Sequence, residues 1–126
     1  PEKLLVAEDA AMVVVPGADG NIGVLPRHVP LISTLRPGLI EVQKVRGTVE
    51  HTVFVAGGFI EVTGERCTVL AEDATPVAML DPATVDQEVA DFAEDVADSK
   101  TDHERRLAER SLEIARAKKT ALRVSH

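Results

Sequence analysis

Gly17, Gly20 and Gly23 recur at every third residue, and His28 follows them between Pro26 and Pro30. Residues of these types could do two kinds of chemistry. Closely spaced glycines let backbone N–H groups approach a phosphate, provided a helix N-terminus behind them supplies positive potential. A histidine beside such a loop could move protons, provided a carboxylate or another partner orients its ring. Neither condition is met by the neighbouring residues. The spacing G-x-x-G-x-x-G is not the dinucleotide fingerprint, and it lacks the Lys and Ser/Thr that trail a P-loop. The segment that follows, "VLPRHVPL", carries Pro26 and Pro30, which would break the required helix. The glycines therefore read as turn punctuation, and Pro26, His28 and Pro30 as one structural turn. Asp19 is the acid nearest to His28 in sequence, but an enzyme built on His28 would need a carboxylate at hydrogen-bond distance from the ring.

No other cluster offers a catalytic or metal site. His28, His51, His103 and His126 share no ligand spacing, so no metal is expected. Signatures such as G-x-S-x-G, H-E-x-x-H or paired carboxylates are missing from the sequence. Cys67 is the single cysteine, which excludes an intrachain disulfide and suits a reducing compartment. Within "RCTVLAE" it reads as an inert core residue.

Composition narrows the function classes further. The 126 residues are 44% hydrophobic and 28% charged, enough for one ordinary domain or two small ones. A net charge of -7 argues against nucleic acid, whose affinity comes mainly from Lys and Arg. The aromatic residues are Phe54, Phe59 and Phe92, with no Tyr or Trp on which bases could stack. No apolar run approaches the ~20 residues that span a bilayer, and no signal peptide is visible. Docking on a membrane complex remains open. "PEKLLVAED" already reads as the middle of a sheet, so a first strand is expected upstream of Pro1.

The elements that must position these residues divide into two halves. From Leu4 to about Leu80 short runs rich in Val, Ile, Thr and Phe alternate with turn segments such as "GADGN", "LRPG" and "TGER". In "GLIEVQKV", Leu39, Glu41 and Gln43 are expected on one face and Ile40, Val42 and Lys44 on the other. Gly57 and Gly58 inside "VAGGFIEV" point to a bulge or a close backbone approach. At Asp81 the period changes. Asp81 suits an N-cap and Pro82 the first helical position, and Val85, Val89, Phe92, Ala93 and Val96 fall on one helical face. After a break at "DSKTD", Leu107, Ile114 and Ala121, with Ala108, Ala115 and Leu122, mark a second helical stripe. The expected fold is α+β by segregation: an antiparallel β-sandwich over residues 1–80, then an antiparallel two-helix hairpin over 81–126. The first helix carries Asp86, Glu88, Asp91, Glu94, Asp95 and Asp98 without a base, whereas the second is rich in Arg and Lys. A hairpin of this size, with so much Ala in its stripe, is marginal unless it docks.

The order of motifs carries a resemblance. "PGADGNIGVLPRHVPLISTLRPGLIEV", then "FVAGGFIEVTGERCTVLAEDA", a Pro-started helix and an Arg/Ala-rich helix resemble the epsilon-subunit family of bacterial F-type ATP synthases, whose mitochondrial counterpart is called delta. The resemblance covers essentially the whole chain. It implies a β-sandwich of about ten strands and a helical hairpin. It also implies a non-catalytic place in the central stalk, against the gamma subunit and the c-subunit ring. The implied work is to couple proton-driven rotation to ATP synthesis. In many members the hairpin also opens toward the alpha and beta subunits of the catalytic head and restrains ATP hydrolysis. The implied location is peripheral, on the cytoplasmic face of the bacterial inner membrane or the matrix side in a mitochondrion.

Carried onto this sequence, the resemblance assigns Asp19, Gly20, Asn21, Ile22 and Gly23 to the c-ring interface. Relatives often carry an acid where Asn21 stands. Arg105, Arg106, Arg110, Arg116, Lys118 and Lys119 become candidates for meeting an acidic loop of beta. Some relatives bind ATP between the folded helices through an aliphatic-Asp-x-x-Arg start and two arginines of the second helix. Here Asp81 and Arg116 match that pattern, but Thr84 and Thr120 replace arginines, which removes charge-assisted forks that Thr cannot supply. No cofactor is expected, and ATP binding is disfavoured. The alternative reading is a small regulator that senses ATP through its hairpin.

Overall fold

The computed structural model describes residues 2–7, 12–24, 30–45, 48–63 and 66–124, with backbone alone for 2–7, 44–45 and 48–51. The protein divides into two compact units, residues 1–77 and 78–126.

The first unit is antiparallel β structure. Its strands are β1 (Glu2–Ala7), β2 (Met12–Gly17), β3 (Gly20–Val24), β4 (Leu31–Leu35), β5 (Gly38–Val45), β6 (Thr48–Val55), β7 (Gly57–Val62), β8 (Cys67–Glu72) and β9 (Thr75–Pro76). Among the described residues they pair in the order β1-β8-β7-β4-β2-β5-β6-β9, with β3 paired to β2. Val13, Val15, Val24, Leu35, Ile40, Val55, Ile60, Val62, Cys67, Val69 and Ala71 are all buried in one cluster. Inward residues from β2 through β8 thus share a single core, so the paired strands fold over on themselves as a sandwich does. Alternation in β7 is clean, with Ile60 and Val62 buried and Phe59 and Glu61 exposed.

Two local features shape this unit. In β5, Ile40 is buried in the core cluster and Val42 packs against it, as alternation predicts, and Gln43 is buried as well. The register against β6 shifts between Val42 and Gln43 and again before Val45. The first shift skips Glu50 of β6 and the second skips Lys44 of β5, so the ladder between the two strands is irregular there. In β7, Gly58 has φ +130, and a Cβ placed there would lie 2.0 Å from the carbonyl oxygen of Leu70 in β8. The close approach expected for the Gly57-Gly58 pair is therefore a backbone contact with the neighbouring strand.

The second unit is helical. After a single 3-10 turn at Val77–Met79, α1 runs Pro82–Asp98 and α2 runs Asp102–Val124. Helix α1 begins where Asp81 and Pro82 predict, with Pro at the first turn and the Val85 N–H donating to the Asp81 carbonyl at 3.0 Å. It ends where the Ser99 hydroxyl donates to the Asp95 carbonyl at 2.6 Å. Two bonds start α2. The Glu104 N–H donates to the Thr101 hydroxyl oxygen at 3.1 Å, and the Lys100 N–H donates to the Glu104 carboxylate at 3.0 Å. This reciprocal pair resembles a capping box and satisfies donors that an open helix end leaves free. Val85 is buried and Val89, Phe92, Ala93 and Val96 are half-buried, as their spacing predicts.

The stripe on α2 is covered except at its first residue. Leu112, Ala115 and Ala121 are buried, but Leu107 is 57% exposed. Ala108, Ile114 and Leu122 are half-buried, and Leu107 lines the open elbow between the helices.

Candidate functional site

The β2–β3 hairpin places Asp19, Gly20, Asn21, Ile22 and Gly23 together at one edge of the sandwich. Gly17 pairs with Gly20, so Ala18 and Asp19 alone form the turn. Asp19, Gly20, Asn21 and Gly23 are exposed, and Ile22 is half-buried. The three glycines of the repeat are not equivalent. Gly20 takes φ +148, which a side chain rarely adopts. A Cβ on Gly17 would fall 2.6 Å from Ile22 Cδ1 and 2.7 Å from the Gly20 carbonyl oxygen. At Gly23 it would meet only Met12 Sδ, at an ordinary 3.5 Å.

This tip is held from behind by the link between β4 and β5. The Arg36 N–H donates to the Pro16 carbonyl at 2.9 Å, and the Ala18 N–H donates to the Thr34 carbonyl at 3.2 Å. The Arg36 side chain then grips the hairpin itself. Its Nη1 donates to the Gly17 carbonyl at 2.5 Å and its Nη2 to Asn21 Oδ1 at 2.6 Å. Bonds from a guanidinium are charge-assisted and short, and its planar fork suits two acceptors at once. Sequence spacing gives no hint of Arg36, because its partners lie fifteen and nineteen residues upstream. Of the expected structural turn, Pro30 is exposed, while Pro26 and His28 lie outside the described residues. No group of three or more His, Cys, Asp or Glu side chains that could hold a metal occurs among the described residues.

The helical hairpin presents a different chemistry. Lys118 Nζ lies 3.3 Å from Glu88 and Lys119 Nζ 3.2 Å from Asp86, so two of the six expected beta-facing cations pair across the helices. Arg105 pairs along its own helix with Asp102 at 3.2 Å. Arg106, Arg110 and Arg116 are exposed. The Asp81 carboxylate accepts a hydrogen bond from the Thr84 hydroxyl at 2.6 Å, and that bond holds it below the usual carboxylate range. A groove of about 440 Å³ lies at the elbow, lined by Phe92, Leu107, Ala108 and Ser111 and by the acids Asp95, Asp98 and Glu104. Neither Asp81 nor Arg116 lines it.

Cys67 sits in the sandwich core, and burial pushes its thiol up to about 11. It therefore stays protonated and unreactive at neutral pH. No described helix is long and apolar enough to cross a membrane.

Comparison with known proteins fits both units. The beta-sandwich domain of the ATP synthase delta/epsilon chain matches residues 1–77, and the C-terminal domain of the ATP synthase epsilon chain matches residues 81–126. The protein is 52% identical to the ATP synthase epsilon chain of Rhodospirillum centenum, over 94% of its own length and 84% of the relative's. It is 44% identical to that of Paramagnetospirillum magneticum, over 97% and 91%. Its fold also matches a component of the Euglena gracilis mitochondrial ATP synthase, with a TM-score of 0.79 at 24% identity, covering 90% of this chain and 70% of that one. Two domain matches that between them take in both structural units, joined by relatives about half identical along nearly the entire length, place this protein in the ATP synthase delta/epsilon chain family.

Proposed function

We propose that the protein works as a non-catalytic rotor component of an F-type ATP synthase, linking the gamma subunit to the c-subunit ring so that proton-driven rotation drives ATP synthesis. It lies on the cytoplasmic face of the bacterial inner membrane, held there by its partners. The observation that carries this reading is the braced, exposed β2–β3 tip, in a protein whose relatives are named as epsilon chains. An element that passes torque must keep its shape at the contact. The two guanidinium bonds and two backbone bonds behind the tip give it that rigidity. Asp19, Gly20, Asn21, Ile22 and Gly23 form the c-ring contact.

The helical hairpin restrains ATP hydrolysis by opening toward the catalytic head. Lys118 and Lys119 are engaged by Glu88 and Asp86 while the helices lie together. Separation frees these two charges and adds them to Arg105, Arg106, Arg110 and Arg116 for an acidic loop of beta. Charge complementarity of this kind sets docking rate and specificity more than affinity. ATP has no part in this control. Asp81 is tied to Thr84, and the carboxylates lining the elbow groove would repel a triphosphate.

Deleting residues 82–126 and assaying the assembled complex tests the reading. ATP hydrolysis should rise severalfold while assembly and rotation-coupled synthesis persist. Unchanged hydrolysis would remove restraint from the account and leave the coupling role standing. Calorimetry with ATP on the full-length protein should give no binding tighter than about a millimolar. Tighter binding that Arg116→Ala abolishes would instead establish a nucleotide-sensing hairpin.

A further inference from the structure

Arg36 holds one acceptor on each strand of the tip: the Gly17 carbonyl ends β2 and the Asn21 side chain stands in β3. A single side chain therefore closes the mouth of the hairpin. Its own backbone is fixed to the same place, through the N–H bond to Pro16. Gly38 strengthens the joint, since a Cβ there would come within 2.9 Å of Pro16 Cβ, so the proline ring packs directly on the glycine. Asn21 is exposed and Arg36 is exposed, and neither belongs to the buried core cluster. Bonds at such a site add little to global stability, because water competes for both partners. Their effect falls on the conformations that the tip can adopt.

We propose that Arg36 is the positioning residue of this docking edge, holding the β2–β3 tip in the one shape its partner meets, with Asn21 as its brace. The proposal rests on the reading of the tip as a partner contact. It reassigns Asn21, whose Oδ1 is turned back onto the guanidinium. The residue at this position is required to offer an oxygen to Arg36, and Asn and Asp both do so. Ordering a loop before it binds removes that entropy cost from association.

The test uses the full-length protein and a purified rotor subcomplex of gamma and c-ring. Hydrogen exchange at residues 18–23, thermal unfolding and the Kd for the subcomplex are measured for Arg36→Met, Arg36→Lys, Asn21→Leu, Asn21→Asp and Asp19→Arg. Arg36→Met and Asn21→Leu should each speed exchange at the tip and weaken binding about tenfold, the scale of one lost charge-assisted contact. The double variant should be no weaker than either single one, because both break the same brace. Asn21→Asp should bind as the parent does, and Arg36→Lys should fall between, since one amine cannot reproduce the fork. Unfolding midpoints should hardly move, which separates positioning from general destabilisation. Faster exchange with an unchanged Kd in Arg36→Met, alongside weakened binding in Asp19→Arg, would overturn the proposal and keep the docking edge. An unchanged Kd in every variant, Asp19→Arg included, would overturn the docking edge and the proposal together.

Discussion

The sandwich and the helical hairpin each present an exposed polar surface, but they support it with opposite materials. Behind the β2–β3 tip lies a core of Val, Ile and Phe, and the five largest fully buried side chains, Phe54, Ile60, Val15, Val55 and Pro16, all belong to that unit. The hairpin buries Val85, Leu112, Ala115 and Ala121, two of them alanines that bring little apolar area. Its helices are further joined by Lys118–Glu88 and Lys119–Asp86, the second pair 48% and 62% exposed. Exposed pairs contribute only ~0.2–1 kcal/mol and weaken in salt. One unit is built to keep a single shape. The other can exchange its partners at small cost, as the proposed opening requires.

The contrast is broken most directly at Gly58. Replacing it with Ala drives a Cβ into the Leu70 carbonyl in a backbone region that disfavours side chains, so the sandwich should lose at least about 3 kcal/mol in denaturant titration. Helical far-UV signal from the hairpin should survive. Loss of both signals together would show that the units are not independent in stability. Leu112→Ala reverses the experiment. It should cost the hairpin about 2–3 kcal/mol and accelerate exchange along α1 and α2, leaving the sandwich amides protected.

Alkaline pH also separates the two units. Burial raises the Cys67 thiol from 9.0 to about 11, so the unfolded chain ionises first and binds fewer protons there than the folded one. Stability is then constant below about pH 9 and falls between pH 9 and 11, by about 2 kcal/mol at most. A Cys67→Ala variant should show a shallower fall over that window, and the hairpin none. Acid acts on the other unit. Asp81 is depressed by the Thr84 hydroxyl, so its contribution is present above the ordinary carboxylate value of 3.8 and is lost as pH drops through the lowered one. Asp81→Asn should blunt a small loss of protection in the first turn of α1 below pH 4. The smallest effect is expected from Lys118→Met, about 0.5 kcal/mol by double-mutant cycle with Glu88→Gln, vanishing at high salt.

What the sequence makes legible follows from the range of each interaction. Asp81-Pro82 announces α1 because a cap and an N1 proline act within one turn. The alternation of Phe59 to Val62 announces β7 because adjacent residues suffice to show it. Alternation puts Ile40 and Val42 on the core but gives no sign of the two register shifts against β6, which depend on pairing that no periodicity in β5 records. The stripe on α2 passes over Leu112, which lies nine residues, about two and a half turns, from Ala121 and so on another side of the helix. Arg36 escapes for the strongest reason. "LRPG" reads as turn chemistry, and nothing local distinguishes an arginine that solvates a turn from one that closes a hairpin nineteen residues away.

The pairing of β1 with β8 also bears on how the protein is made. Ala7 lies opposite Cys67 and Glu2 opposite Glu72, so the strand that is synthesised early must wait sixty to seventy residues for its neighbour. Loop closure over that distance is slow compared with formation of the β2–β3 hairpin or the two helices. Until β8 emerges, the edge of β1 that will meet it is unpaired, and an unpaired edge is a template for another polypeptide.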